Sequence, residues 1–193
     1  MIEKLNGEHI ILASNSPRRK ELLSSLKIPF QVVVRNTDET VKDGVSAEET
    51  AKSLAIKKAS FYNDITNIDN TILITADTVV LIDNTILGKP GSHKEAFNML
   101  KLLSARSHKV ITGVAITSAK KQVSFDSVTT VYFKQLSDDE IDFYITNFKP
   151  FDKAGAYGIQ EWIGMIGITR IVGSYFNVVG LPVQKLYSEL IKF

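Results

Sequence analysis

The chain of 193 residues contains no cysteine. Disulfide staples, thiolate metal centres and a cysteine nucleophile are therefore excluded, and a reducing compartment fits. Proline is scarce at 5 residues and tryptophan occurs once. No apolar stretch approaches the roughly 20 residues that a membrane-spanning helix needs. Neither sign of charge dominates, since 23 Lys and Arg against 21 Asp and Glu leave a net +2. That is too little to wrap nucleic acid, and the lysines are scattered rather than striped, so any anionic ligand is expected to be small and held locally. His9, His93 and His108 lack metal-ligand spacing and read as structural or surface residues. The start, Met1-Ile2-Glu3-Lys4-Leu5-Asn6, lacks the basic-then-apolar order of a signal peptide, so a cytoplasmic chain without a membrane partner is expected. Repeats, Gly/Ser tracts and charge blocks are also missing, which points to one domain over 1–193 with two lobes rather than two separable domains.

Helix starts are well marked in what remains. Ser46 with Glu49, Ser92 with Glu95 and Ser137 with Glu140 have capping-box spacing. They predict helices to about Tyr62, to about Leu103, and over a face formed by Ile141, Tyr144, Ile145 and Phe148. Strands are expected at Phe30 to Val34, Thr71 to Thr75, Val79 to Ile82, Val110 to Thr117 and Val123 to Phe133, with turns at Asp83-Asn84 and Ala119-Lys120. Ile166 to Ile171 and Tyr175 to Val179 flank Gly173-Ser174 and suggest another hairpin, before Gly180-Leu181-Pro182 leads into a last helix. An order that begins β-α-β-α-β and continues with hairpins implies an α/β fold with a mixed sheet.

One junction stands out. Ser14-Asn15-Ser16-Pro17-Arg18-Arg19 follows the apolar run Ile10-Ile11-Leu12-Ala13 and precedes a helical pattern at Leu22, Leu23 and Leu26. Ser16 suits the N-cap and Pro17 the first helical position, so free N–H groups would point out beside two guanidinium forks. Arginine matches phosphate oxygens with two parallel charge-assisted bonds, although a capped surface helix with a solvated arginine pair is the plainer alternative.

Other candidates carry two readings each. Asp77, after the strand Thr71 to Ala76, either caps a turn and meets a cation, or holds a divalent metal or polarises a water. Lys58 falls on the apolar face of its helix and either snorkels or turns inward to an anion. Lys89 in Leu87-Gly88-Lys89-Pro90, and Glu39 in Thr37-Asp38-Glu39-Thr40, are loop residues that solvent could equally hold. No Gly-x-x-x-x-Gly-Lys-Ser/Thr is present, so a P-loop is unavailable. Asp152-Lys153-Ala154-Gly155-Ala156-Tyr157-Gly158-Ile159-Gln160 packs small residues, a ring and an amide together; Gln160 could read a nucleobase edge or bond to backbone. Basic residues and acids spread over strand ends suggest a polyphosphate held with a divalent cation.

These motifs, with Leu54-Ala55, Lys58-Ala59, Ala76-Asp77-Thr78-Val79-Val80, Thr112-Gly113-Val114 and Gly180-Leu181-Pro182, closely resemble the Maf family of nucleoside triphosphate pyrophosphatases, also described as septum formation inhibitors. The match runs nearly end to end. The resemblance implies a mixed twisted sheet with flanking helices, two lobes around a central cleft (Maf/Ham1, ITPase-like), and a homodimer. It implies hydrolysis between the α and β phosphates with Mg²⁺ or Mn²⁺, and the Asp152 to Gln160 segment looks like the dTTP/UTP branch. Carried over, Asp77 activates water and with Glu39 holds metal. Arg18, Lys58 and Lys89 bind phosphates, Gln160 contacts the pyrimidine and Ser14 lines the pocket. Arg19 and Asp152 are further candidates, with service to the fold as the alternative for Arg19. Two departures occur: Leu103-Ser104-Ala105-Arg106 replaces the usual Leu-Ser-Gly-Arg, and Glu161-Trp162 follows the glutamine where small residues are usual. A nucleotide-binding regulator of division with incidental hydrolysis, and a 7-methyl-GTP pyrophosphatase, are the alternative functions.

Overall fold

A computed structural model of the chain describes residues 5, 7–36 and 45–193. The first half contains β1 (His9–Leu12), α1 (Pro17–Ser25), β2 (Gln31–Val32), α2 (Ala47–Ser60), α3 (Asn63–Thr66), β3 (Thr71–Ile82), β4 (Thr85–Leu87) and α4 (His93–Leu103). Next come β5 (Ser107–Thr117), β6 (Gln122–Phe133), α5 (Asp138–Phe148), a 3-10 turn at Ala154–Ala156, and α6 (Trp162–Gly167). The chain closes with β7 (Ile168–Val172), α7 (Tyr175–Val179) and α8 (Val183–Leu190).

The strands form a seven-stranded sheet in the order β2-β1-β3-β5-β6-β7, with β4 paired to β3. Strand β1 runs parallel to both neighbours, Ile11 standing opposite Gln31 on one side and Leu73 on the other. The pairs β3–β4 and β6–β7 are antiparallel. The mixed sheet expected from early crossovers and later hairpins is thus present.

Two compact units divide the chain. Unit 1 takes Met1–Asp77, as far as these residues are described, with Thr112–Ser127 and Gly180–Phe193; unit 2 takes Thr78–Ile111 and Val128–Val179. In unit 1, Ile11, Ala13, Ala59, Tyr62 and Leu73 make one buried cluster. In unit 2, the rings of His108, Phe133 and Tyr157 pack together at centroid separations of 5.2–5.6 Å.

Several elements differ from their sequence-based expectations. Strand β3 is continuous from Thr71 to Ile82, so Asp77 lies within a strand and not at its end. Strand β2 stops at Val32, because Val33 N–H still donates to Leu12 at 3.2 Å whereas Arg35 N–H turns to the Tyr62 hydroxyl at 2.8 Å. Tyr175–Val179 is helical, which removes the hairpin expected around Gly173-Ser174. Buried Asn177 draws that segment inward, its amide donating to the Val110 carbonyl at 3.0 Å and the Thr129 hydroxyl at 2.9 Å. Tertiary bonds here outweigh β propensity.

Ser137 with Glu140 is a complete capping box. Ser46 and Ser92 cap their helices on one side only, and the Glu95 carboxylate accepts instead from Gly91 N–H at 2.7 Å. The face of α5 buries Ile141, Tyr144 and Ile145 but leaves Phe148 exposed.

Ala105 occupies the left-handed region at φ 58°, and its N–H donates to the Lys134 carbonyl at 2.9 Å. The alanine that departs from the family's Leu-Ser-Gly-Arg therefore sits where glycine is sterically favoured. Ala105→Gly removes a penalty of roughly 1–2 kcal/mol but restores roughly 0.4–1 kcal/mol of unfolded-chain entropy. A net stabilisation of about 0.5 kcal/mol is expected from urea unfolding; a loss of stability would contradict this account.

His108 is 3 % exposed and its Nε2 lies 2.7 Å from the Tyr157 hydroxyl. Burial lowers its pKa from 6.5 to about 4. The unfolded chain therefore takes up a proton below about 6.5 that the folded chain refuses until about 4. Stability from this residue is complete above that window and falls as pH drops through it. The loss amounts to about 3 kcal/mol. Urea unfolding of wild type and His108→Gln between pH 4 and pH 8 should show a slope in the wild type that the variant lacks; parallel profiles would count against it.

Candidate functional site

The Ser14 to Arg19 junction forms as its sequence requires. Ser16 has extended backbone and its hydroxyl accepts from Arg19 N–H at 3.4 Å, while Pro17 opens α1. Ser14 is buried and its hydroxyl accepts from Ser16 N–H at 3.2 Å. Arg18 and Arg19 are both half-buried. Arg19 Nε donates to the Gly180 carbonyl and its terminal nitrogen to the Ala76 carbonyl, both at 2.8 Å. Its fork thus ties α1, β3 and the lead into α8, which is the fold role weighed for it.

Within unit 1, helix α2 is seated against β3 and β5 by two contacts that place Lys58. The Thr75 hydroxyl donates to the Ala55 carbonyl at 2.7 Å in a buried bond. A Cβ on Gly113 would stand 2.2 Å from the Ala51 carbonyl, so only glycine allows this approach. Side chains two apart on a strand share a face. Asp77 accordingly emerges on the same face as Thr75, and Lys58 lies on the helix three residues beyond Ala55. The Lys58 ammonium donates to the Asp77 carboxylate, and both side chains are nearly buried at 12 % and 14 % exposure. Of the two readings of Lys58, the inward one is present, and its anion is Asp77.

Unit 1 therefore gathers Ser14, Arg19, Lys58 and Asp77 through bonded neighbours. Glu39 lies outside the described residues. Lys89, Asp152 and Gln160 belong to unit 2 and are exposed. Lys89 follows Gly88, whose carbonyl accepts from Gly155 N–H at 3.0 Å, so its turn is joined to the Asp152 to Gln160 segment.

Residues that the motifs did not single out hold that segment. Lys153 is buried and its ammonium meets Asp152 at 2.7 Å and Glu161 at 2.9 Å. The Tyr144 hydroxyl donates to Glu161 and accepts from Gly158 N–H at 3.0 Å. Burial first, then the bond to Glu161, raises the Tyr144 pKa far above the usual phenol value, which keeps it a donor. Tyr144 showed in the sequence only as a buried helix face; nothing local marks its pairing with Glu161.

A Mg²⁺ ion commonly takes one or two protein carboxylates together with substrate phosphates. Among the described residues no three His, Asp or Glu side chains gather in a metal-binding group, and Asp77 supplies a single carboxylate. That donor set fits an ion shared with a phosphate ligand. The carboxylate stands beside an ammonium and a helix start strapped by a guanidinium, so acceptor and donor groups suited to a phosphate–metal ligand occur together.

The description "Maf-like protein" matches residues 9–193. The chain belongs to this family. Among Maf relatives, the dTTP/UTP pyrophosphatase of Phocaeicola vulgatus is 53 % identical over 193 residues, covering 100 % of both chains. That of Parabacteroides distasonis is 49 % identical over 194 residues, again 100 % of both. Among solved structures, a HAM1 protein from Coxiella burnetii superposes with a TM-score of 0.52 at 16 % identity, covering 96 % of this chain and 100 % of that one. This likeness extends the Maf assignment to a shared fold.

Arg19→Met should leave both main-chain carbonyls without their charged donor and cost about 2–3 kcal/mol. Arg19→Lys, with one donor direction instead of a fork, should lose roughly half of that. Urea unfolding checks both; wild-type stability in Arg19→Met would contradict the strap.

Proposed function

We propose that the chain is a nucleoside triphosphate pyrophosphatase that hydrolyses dTTP and UTP to the monophosphate and pyrophosphate. Full-length identity of 53 % to a protein named dTTP/UTP pyrophosphatase carries the reading. The Lys58–Asp77 pair beside the Ser14 to Arg19 junction supports it with chemistry suited to a triphosphate. House-cleaning of nucleotide pools in the cytoplasm and assembly as a homodimer belong to the same reading.

In this mechanism Arg18, Lys58 and Lys89 bind the phosphates, Ser14 lines the pocket and Gln160 contacts the pyrimidine. Asp77 orients a water and takes its proton as the water oxygen bonds to the α phosphorus. The bond from that phosphorus to the bridging oxygen breaks, and pyrophosphate leaves with the electron pair. Asp77 and Glu39 would hold a Mg²⁺ or Mn²⁺ ion, which supplies charge neutralisation at the phosphates when bound. Positioning and charge stabilisation provide most of the acceleration in such reactions.

Pyrophosphate release from dTTP, UTP, 7-methyl-GTP and ITP, with Mg²⁺ and with excess chelator, tests the proposal. Turnover of dTTP and UTP is expected, with loss of activity in chelator. Asp77→Asn should remain folded by circular dichroism and lose about 10² to 10⁴ in kcat, the span usual for a general base. A nearly active variant removes Asp77 from that role, and turnover of 7-methyl-GTP alone overturns the base assignment.

A further inference from the structure

Gln160 is exposed, yet the main chain on both sides of it is fixed. On one side Gly158 N–H donates to the Tyr144 hydroxyl at 3.0 Å, and Ile159 is buried. A Cβ on Gly164 would stand 2.1 Å from the Ile159 carbonyl, so α6 closes on that residue without a side chain between. On the other side Glu161 is the N-cap of α6, and its N–H donates to the Gly158 carbonyl at 3.0 Å. One carboxylate oxygen of Glu161 accepts from the Tyr144 hydroxyl and the other from buried Lys153 at 2.9 Å. A Cβ on Gly158 would meet that carboxylate at 2.8–3.1 Å, so the segment folds directly over it.

We infer that Glu161 is a positioning residue: with Lys153 and Tyr144 it immobilises the backbone flanking Gln160 and thereby sets how tightly the pyrimidine is held. The inference rests on the proposed pyrophosphatase reading, in which Gln160 contacts the base. All the groups belong to unit 2 and to three successive segments: α5 gives Tyr144, the loop gives Lys153 and Gly158, and the α6 cap gives Glu161. A side chain that holds an exposed amide in place lowers the conformational cost of binding without touching the reacting phosphorus. Its loss should therefore appear in KM rather than in kcat.

The experiment is a double-mutant cycle on the full chain, with dTTP and UTP as substrates. Glu161→Gln and Tyr144→Phe should each raise KM about tenfold while kcat changes by less than about threefold. In a Gln160→Ala background, either change should add less than about twofold, because the residue it positions is gone. Tyr144→Phe removes one hydroxyl from a ring that keeps its packing, so it carries the cycle should Glu161→Gln fail to fold. Unchanged KM in the folded single variants, or full additivity with Gln160→Ala, overturns the inference while leaving the pyrophosphatase reading intact. Wild-type protein that releases no pyrophosphate from any triphosphate overturns that reading, and the inference with it.

Discussion

Gly113 has no side chain, and a Cβ there would occupy the space of the Ala51 main chain at 2.2 Å. The placing of α2, and through it of Lys58, depends on that omission. Once the helix is seated, the buried Thr75–Ala55 bond sets its alignment along β3. The two-residue period of the strand then carries Asp77 to the same face, within reach of the helix turn that holds Lys58. A steric condition at one glycine thus becomes an electrostatic arrangement several residues away. A larger residue at 113 would have to shift backbone rather than a flexible side-chain end, and interiors packed like crystals transmit such shifts.

The polar groups of the molecule differ widely in what they can contribute. Lys101–Asp138 and Arg106–Asp83 are short pairs at 2.6 Å, but their side chains stand open to water. Screening and side-chain entropy reduce such pairs to about 0–1 kcal/mol. Lys153 is another case, with its side chain 9 % exposed between two carboxylates. A buried ammonium is costly unless paired, so loss of Glu161 there would matter far more than loss of a surface partner. The same logic separates Arg19, bound to two carbonyls at 2.8 Å, from arginines that merely decorate the surface.

Local signals were legible in the sequence and long-range ones were not. The Ser16 cap, Pro17 and the α4 end at Leu103 depend on neighbours within one turn, and they appear where the pattern places them. The apolar run Thr71 to Ala76 puts Asp77 at a strand end by its pattern, but Lys58 from another element pairs with the carboxylate and β3 continues to Ile82. Tyr175–Val179 looks like a strand by composition; Asn177 bonding across 48 and 67 residues makes it a helix. The site divides in the same way. Sequence motifs pointed to Asp77, Lys58 and Arg19 individually, whereas the pairing of the first two and the carbonyl partners of the third arise between elements 19 to 161 residues apart. Glu161 registered only as an unusual neighbour of Gln160, since its partners lie 8 and 17 positions away by the numbering of Lys153 and Tyr144.

The Arg19 strap has a consequence for how the chain tolerates change. Both of its acceptors are main-chain oxygens, at Ala76 and Gly180. A side-chain salt bridge can be rebuilt by exchanging the two partners, but no exchange can move a guanidinium onto a carbonyl. The junction is therefore encoded asymmetrically: an arginine lost at 19 has no reciprocal substitution at 76 or 180 that restores it, and reversion at 19 is the direct route back.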